Sequence, residues 1–261
     1  MNYVFAFLIS FGASVIGVLC GVGGGIVIKP TMDMIGIVNV TTASFLSGCT
    51  VLAMTAYSTT KSIICHDNMI EVKSMMPLAL GSAAGGVTGK ALFGFIKNML
   101  AYPDKIGAIQ AVLLAIVSIG TMIYTLNRAK IKTLELRSTV LCALTGFSLG
   151  ILSSFLGIGG GPINLMVLYY LFSMNTKTAA QNSLFIILFS QAFSLIYSIS
   201  TGDVPKFSPA LLLLMVVGGL AGGILGRRVN RIINAQAIDR LFVGFLGVIV
   251  VICAYNFASF E

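Results

Sequence analysis

Eight long apolar runs constrain the fold of this chain more than any other feature. Most of them reach the about 20 residues that a helix needs to cross a bilayer. The runs are Tyr3–Cys20, Thr42–Ile64, Met75–Ile96, Ile106–Leu126, Ser138–Leu156, Thr178–Ile199, Ser208–Gly226 and Arg240–Phe257. Only 9% of the residues are charged, against about 25% in an ordinary soluble domain. We therefore predict an all-α integral membrane protein and exclude a soluble fold.

Two further apolar segments, Ile26–Val38 and Ile163–Met174, are too short to span a bilayer at about 1.5 Å per helical residue. Each of them follows a glycine-rich stretch with the pattern GxGGG, Gly21–Gly25 in one case and Gly157–Gly161 in the other. The sequence therefore predicts about eight long helices plus two short half-helices, each entered through a GxGGG loop.

The two glycine stretches belong to an internal duplication. The second starts 157 − 21 = 136 residues after the first, and the same offset places Ser47 on Ser183. At an offset of 218 − 81 = 137, the block Gly81–Lys90 aligns with Gly218–Arg227. Repeats of this kind are typical of secondary transporters. The predicted units are a first membrane repeat at 1–126, a cytoplasmic linker at 127–137 and a second membrane repeat at 138–261.

The distribution of Lys and Arg distinguishes parallel from inverted repeats, because cytoplasmic loops are enriched in both. Lys29 and Lys90 lie within apolar runs and are left out of the count. If each glycine loop is the tip of a hairpin, the halves are inverted, and only Lys97, Lys105 and Lys206 of the other cations lie on one side. The other side then carries eleven cations, namely Lys61, Lys73, Arg128, Lys130, Lys132, Arg137, Lys177, Arg227, Arg228, Arg231 and Arg240. A parallel arrangement divides the same residues seven and seven. We predict inverted-topology repeats, with the linker cytoplasmic and both termini periplasmic.

The GxGGG stretches, the prolines Pro30 and Pro162 that follow them, and a G-x-x-x-G-G-x-x-G-[KR] block in each half resemble the TauE/SafE sulfite exporter family over essentially the whole chain. The resemblance implies an inner-membrane secondary transporter, a permease or exporter of a small sulfur-containing anion such as sulfite or an organosulfonate. It would work by alternating access around a midplane site. The chain departs from the family pattern at Lys29, where an aliphatic residue is usual, and at Met166, the second-half equivalent of Pro30.

The glycine loops are the predicted substrate site. Consecutive glycines in a membrane segment are unfavourable unless the backbone bends sharply or approaches a ligand, and a helix start attracts anions through its free N–H groups. We expect such groups near Gly24–Val27 and Gly160–Asn164. We also expect a positive φ at Gly24 and Gly160, so that a side chain at either glycine would abolish transport and leave membrane insertion intact. The predicted substrate-binding residues are Gly23, Gly24, Gly25, Lys29, Ser47, Gly159, Gly160, Gly161, Asn164, Gln181, Asn182 and Ser183. Asp33, at i+4 from Lys29, could neutralise it and is the coupling candidate.

The glycines of the second motif have a different predicted role. Gly81, Gly85 and Gly89, with their counterparts Gly218, Gly222 and Gly226, recur at intervals that let helices approach closely in lipid. We therefore interpret them as packing residues.

Nothing in the sequence suggests an enzyme. It shows no nucleophile with its base, no ATP-binding loop and no metal-ligand spacing, so we expect no catalytic residue, cofactor or metal. The expected partners are a small anionic substrate, the lipid bilayer and a coupling ion, H⁺ or Na⁺. No nucleic acid is expected. The sequence leaves undecided whether the chain forms a homodimer. The alternatives are a permease for another small anion such as a carboxylate, and a non-transporting membrane scaffold or sensor.

Overall fold

The computed structural model describes residues 2–36, 38–65, 70, 72–99, 103–136 and 138–260. These residues form ten α-helices and one short 3-10 helix, Arg128–Lys130, and they contain no strand. The helices are α1 (Asn2–Cys20), α2 (Gly25–Ile35), α3 (Val40–Ile64), α4 (Val72–Met99), α5 (Pro103–Asn127), α6 (Thr139–Leu156), α7 (Pro162–Phe172), α8 (Thr176–Ser200), α9 (Pro209–Ile232) and α10 (Ala235–Phe260). The predicted all-α fold is confirmed.

Eight of the described helices are long and apolar enough to cross a membrane. The other two, α2 and α7, have 11 residues each, which is too short at about 1.5 Å per residue. The predicted set of eight long and two short helices is therefore confirmed. The largest boundary error lies in α9, which continues from Gly226 to Ile232. Its last turns carry arginines, and cations are favourable at the C-terminal end of a helix.

Matching capping residues begin the third helix of each half. The side chain of Asn39 accepts a hydrogen bond from the Thr42 amide at 2.9 Å, and that of Asn175 accepts one from Thr178 at 3.0 Å. The two asparagines are separated by the repeat offset, 175 − 39 = 136. An asparagine cap satisfies an amide that the helix itself leaves unpaired. Both halves therefore use the same local signal to leave their short helix and start a long one.

Two close contacts between helices, here called the glycine seams, consist of glycines on one helix packed against the backbone of another. Each seam joins the first helix of one half to the fourth helix of the other half. A Cβ atom on Gly85 of α4 would collide with the backbone oxygen of Phe147 in α6, and one on Gly222 of α9 would collide with that of Phe11 in α1. The same relation continues along both seams, with Gly81 facing Ala143, Gly89 facing Ile151, Gly218 facing Phe7 and Gly226 facing Val15. The packing role predicted for these glycines is confirmed, because only a hydrogen atom fits at each crossing.

One end of the helix bundle, here called the Tyr3 end, contains the start of α1. There the hydroxyl of Tyr3 lies 3.4 Å from that of Ser208, at the start of α9. The ammonium of Lys97, near the end of α4, lies 3.8 Å from a carboxylate oxygen of Asp203, in the α8–α9 loop. The turn between α2 and α3 borders the same region.

The opposite end, here called the linker end, contains the connection between α5 and α6. The guanidinium of Arg128 lies 3.8 Å from Asp239 of α10 and donates to Thr176 of α8 at 3.3 Å. The amides of Leu134 and Leu136 donate to carbonyl groups in the last turn of α7, which a helix end leaves without intrahelical partners. The linker therefore provides hydrogen-bond donors for carbonyl groups at the C-terminal end of α7. Arg137, one of the cations counted above, lies outside the described residues.

Candidate functional site

The first glycine loop is the tip of a hairpin. The amide of Val22 donates to the carbonyl of Gly17 at 3.0 Å, which turns the chain back. A Cβ on Gly24 would lie 3.0 Å from the hydroxyl of Ser14 in α1, and Ile28 of α2 packs in one apolar cluster with Ala13 of α1. The short helix α2 therefore runs back along α1 towards the Tyr3 end.

The two glycine loops lie against each other. A Cβ on Gly25 would collide with the backbone oxygen of Ile158 in the second loop. Added Cβ atoms on Gly23 and Gly159 would both contact Val51 of α3, at 3.5 and 3.0 Å. Both GGG triplets predicted from the sequence therefore meet in one place, beside the middle of α3.

Helix α8 borders the same place from the other half. Ile187 of α8 lies at the repeat offset from Val51, 187 − 51 = 136. It would contact a Cβ added to Gly23 at 3.5 Å and would collide with one added to Gly160. The loops are therefore enclosed between α3 and α8, the third helices of the two halves.

Several loop glycines adopt a backbone conformation that other residues rarely adopt. The φ angles are +70° at Gly23 and +73° at Gly159, in the left-handed region that glycine reaches without a steric penalty. The expectation of a positive φ at Gly24 is wrong, because this residue is helical with φ −63°. As the N-cap of α2 it lies where the hairpin crosses α1, so its missing Cβ admits Ser14 rather than a ligand.

Fewer backbone donors are free at the two helix starts than the sequence suggested. The amides of Val27 and Asn164 each donate to a loop carbonyl, Gly24 and Gly161 respectively, at 3.1 Å. Pro162 occupies the first turn of α7 and has no N–H group. The expectation of free amides across both segments is therefore corrected. Helix geometry leaves the first amides of α2 and the amide after Pro162 as candidate donors.

Lys29 and Asp33 form a buried ion pair beside the loops. The ammonium nitrogen lies 2.8 Å from Asp33 Oδ2, and the two side chains are only 4% and 3% exposed. The contact between Lys29 and Asp33 that their i, i+4 spacing predicts is therefore present. A Cβ on Gly157 would lie 3.4 Å from Lys29 Cδ, so the lysine stem packs under the second loop. Ionisable groups buried within a membrane protein are unfavourable without a partner and commonly mark functional sites.

Asp33 borders two cavities. The larger one, here called the vestibule, has a volume of about 660 Å³ at the Tyr3 end and is also lined by Lys97, Asp203 and Lys206. The smaller one, here called the inner chamber, has about 10 Å³ and is lined by Lys29 and Asp33 together with helices α5 and α10. That space is about the minimum for a single water molecule. The carboxylate therefore lies between a wide cavity at the end of the bundle and the buried ammonium.

The comparison with protein families identifies the chain. The family model "Sulfite exporter TauE/SafE" matches residues 6–252. This chain belongs to the TauE/SafE sulfite exporter family. The match includes both glycine loops and every residue predicted for the site.

Individual relatives of this TauE/SafE protein are named as probable membrane transporters. The chain is 25% identical to the probable membrane transporter protein YunE of Bacillus subtilis (strain 168) over 257 residues, which cover 91% of this chain and 92% of the relative. It is 27% identical to the probable membrane transporter protein MamO of Magnetospirillum gryphiswaldense over 114 residues, 42% of this chain and 18% of that protein. No solved structure matches the chain significantly.

The predicted serine ligands of this TauE/SafE chain face the loops. Ser47 and Ser183 are fully buried, and within the described residues their hydroxyl groups have no hydrogen-bond partner. Ser47 precedes Val51 by one turn of α3, and Ser183 precedes Ile187 by one turn of α8, so each shares a helix face with a residue that contacts the loops. The two hydroxyl groups are therefore candidate ligand donors.

The predicted amide ligands differ in their surroundings. Asn164 is 1% exposed, and its side-chain oxygen has no hydrogen-bond partner in the described part of the chain. Asn182 donates to the carbonyl of Thr178 at 2.9 Å, within its own helix. Gln181 is buried directly after Ala180, against which Gly21 packs. Of the three, Asn164 lies nearest a loop along the chain, in the first turn after it.

Sequence reasoning did not include Gln191 in the predicted site. Its side-chain nitrogen would collide with a Cβ on Gly159 and would lie 3.4 Å from one on Gly48, so the amide lies between α3 and the second loop. Its counterpart in the first half is Thr55, at 191 − 136 = 55. Because the pair does not match, the repeat provided no signal for Gln191.

Sequence reasoning also missed Gln110 of α5 and Asn256 of α10. Their nitrogens donate to the carbonyls of Phe155 and Pro30, and their oxygens have no hydrogen-bond partner among the described residues. Both residues line the inner chamber with Lys29. An amide within an apolar run was an available signal, but only the tertiary contacts bring α5 and α10 to α2.

Proposed function

We propose that this membrane transporter carries a small sulfur-containing anion, such as sulfite or an organosulfonate, by alternating access around the two glycine loops. Its membership of the TauE/SafE family and its likeness to probable membrane transporter proteins support the class of protein. The anion and the mechanism are proposals that rest on the geometry of the loops.

The observation that carries the proposal is the meeting of the two loops, with the side chain of Lys29 packed against the second of them. Each loop begins a short helix, whose first amides and partial positive charge favour an anion. The hydroxyl groups of Ser47 and Ser183 add donors without adding fixed charge. A compact oxyanion with several acceptor oxygens suits such a set of donors.

The arrangement of the helices supports inverted halves. Helix α1 begins at the Tyr3 end and α6 begins at the linker end. The glycine seams pair α1 with α9 and α6 with α4. Helix α6 is the repeat counterpart of α1, and α4 is that of α9, so exchanging the two halves turns one seam into the other. Inverted halves around a central site are the usual basis of alternating access.

A cavity at each end of the bundle supports alternating access. The vestibule borders the turn after α2, and a cavity of about 520 Å³ at the linker end borders the end of α7. The linker-end cavity is lined by Lys73, Glu135 and Phe172 among others. We propose that the anion enters and leaves through these two cavities in turn.

Flux measurements on the purified protein in proteoliposomes test the proposal. Sulfite, sulfoacetate, thiosulfate and acetate are compared, and we expect saturable flux for the sulfur-containing anions with slower flux for acetate. Faster flux of acetate would instead favour a carboxylate permease. The absence of saturable flux for all four anions would leave a scaffold or sensor as the better interpretation.

The charge distribution predicts the orientation in the inner membrane. We expect both termini to be periplasmic and the linker cytoplasmic, because eleven of the fourteen Lys and Arg residues counted above then lie on the cytoplasmic side. A reporter fused after Glu261 should give a periplasmic signal, and the same reporter inserted next to Lys132 should give a cytoplasmic one. A cytoplasmic signal at Glu261 would contradict the inverted arrangement.

Removal of the Lys29 charge should reduce transport strongly. In Lys29→Met the site loses the cation that would attract the substrate, and the buried carboxyl group of Asp33 loses the ammonium that stabilises its charge. We expect the apparent affinity for sulfite to fall at least about tenfold, or about 1.4 kcal/mol. Flux is measured in protein of normal membrane yield. Unchanged affinity and pH dependence would show that Lys29 is structural.

A further inference from the structure

We infer that the carboxylate of Asp33 occupies Lys29 until a proton neutralises it. Lys29 can then bind the anion, so that the transporter moves its anion together with a proton. The inference rests on the proposed anion transport and names its coupling ion. Three observations carry it, namely the ion pair, the two cavities that border Asp33, and the difference between the two halves at these positions.

The ion pair makes the substrate and Asp33 competitors. Asp33 Oδ2 lies 2.8 Å from the Lys29 ammonium, and both side chains are almost completely buried. A second anion brought to the same ammonium would lie close to the carboxylate, and two like charges in a poorly solvated site repel strongly. Anion binding therefore requires the carboxylate to lose its charge or to move away.

Protonation of Asp33 removes the repulsion between its carboxylate and the substrate anion. One proton adds to the carboxylate of Asp33 and gives a neutral carboxyl group. Lys29 keeps its own protons and its positive charge, and the ammonium becomes the counter-ion of the substrate. After the anion leaves, the proton leaves Asp33 and the ion pair forms again.

The cavities place Asp33 where this exchange can occur. The residue borders the vestibule, through which protons can arrive from the Tyr3 end. Its second oxygen, Oδ1, has no hydrogen-bond partner among the described residues. On the other side, the oxygens of Gln110 and Asn256 belong to residues that line the inner chamber with Lys29. They can accept N–H groups of the ammonium when the carboxylate no longer does.

Other charged and titratable groups surround the pair from each neighbouring element. At the vestibule these are Lys97 of α4 and, in the α8–α9 loop, Asp203 and Lys206. Cys253 of α10 borders the inner chamber, and Lys90 of α4 acts on Lys29 and Asp203 only through longer-range electrostatics. Asp203 is 45% exposed and lies 3.8 Å from Lys97. Asp33 is therefore the carboxylate that titrates against Lys29, and Asp203 is a suitable control.

The other half of the protein has no such pair. The repeat offset of 136 carries Lys29 to Leu165 and Asp33 to Tyr169, and both of these residues are buried. One proton site per chain predicts one proton per anion. The ammonium next to Asp33 also disfavours Na⁺, because a second cation at the same carboxylate would be repelled.

Titration calorimetry of the purified protein tests the inference. Thiosulfate is the probe, because its charge does not change between about pH 5.5 and pH 8, and binding is measured in buffers with different ionisation enthalpies. We expect uptake of about one proton per thiosulfate bound, and affinity that weakens by up to about tenfold per pH unit as pH rises. Replacing Na⁺ with choline should have no effect.

Matched variants separate Asp33 from its surroundings. Asp33→Asn should bind thiosulfate without proton uptake and with little pH dependence, because its side chain is permanently neutral. Asp203→Asn should keep the proton uptake of the natural protein. If Asp33→Asn folds poorly, the double variant Lys29→Met with Asp33→Asn removes both buried charges and should show neither proton uptake nor strong binding.

Thiosulfate binding without proton uptake, proton uptake that persists in Asp33→Asn or in the double variant, or a requirement for Na⁺ would overturn the inference while leaving anion transport intact. If the natural protein binds neither thiosulfate nor sulfoacetate at any pH, the proposed function fails and the inference fails with it.

Discussion

Gly85→Val should yield very little folded protein in the membrane. A Cβ at this position would collide with the backbone oxygen of Phe147, and a backbone atom cannot move aside as a flexible side chain can. The helices α4 and α6 would have to separate along the whole seam. Overpacking of this kind costs about 1–3 kcal/mol, and more where backbone atoms must shift. Membrane yield and thermal stability in detergent measure the effect.

The same helix provides the control for this prediction. A Cβ on Gly94, also in α4, would meet no atom within 4 Å, so Gly94→Val should give nearly normal yield. Gly222→Val on the other seam should fail as Gly85→Val does, because it would collide with the backbone oxygen of Phe11. Equal yields for the Gly85 and Gly94 variants would show that the seam does not hold the halves together.

Alanine at Gly23 or Gly159 should abolish most of the transport activity while leaving the protein in the membrane. Both residues have φ near +70°, a conformation that costs an L-residue about 1–2 kcal/mol. The loops would relax to another shape and withdraw their amides from the substrate. We expect at least about a tenfold loss in the rate constant for transport, with membrane yield close to that of the natural protein.

The control for the loop variants is Gly120→Ala. This glycine lies in helix α5, outside the loops, and a Cβ there would meet no atom within 4 Å. This variant should transport at nearly the normal rate. If the Gly23 and Gly159 variants also transport normally, or if they are lost only through misfolding, the loops are packing elements and the substrate binds elsewhere.

Gly24 shows how the structure changes an expectation based on sequence. The pattern treats all three glycines of a triplet alike, and on that basis a side chain at Gly24 would block a ligand. Its helical φ of −63° and its contact with Ser14 show that a larger residue would instead force α2 away from α1. Gly24→Val should therefore resemble the Gly85 variant, whereas Gly160→Val, which meets the side chain of Ile187, should resemble the loop variants.

The helices and the ion pair could be predicted because their causes are local. A run of apolar residues long enough to span the bilayer must form a helix, since its backbone groups find no partners in lipid. Likewise, Lys29 and Asp33 lie four residues apart in a helix, which places them on one face whatever the rest of the fold does. The repeat offset added the correspondence between halves, and the structure then showed that it extends to the two asparagine caps.

The environment of the site could not be predicted because it depends on contacts between distant segments. The collision of Gly25 with Ile158, the position of Gln191 next to Gly159, and the approach of Gln110 to Lys29 all join residues more than 30 positions apart. The sequence alone determined the membrane class, the number of helices, the duplication and the charged pair, because hydrophobicity and helical periodicity act within one segment. Only the tertiary structure decided which glycines face another loop and which face a helix, since that depends on how the halves pack.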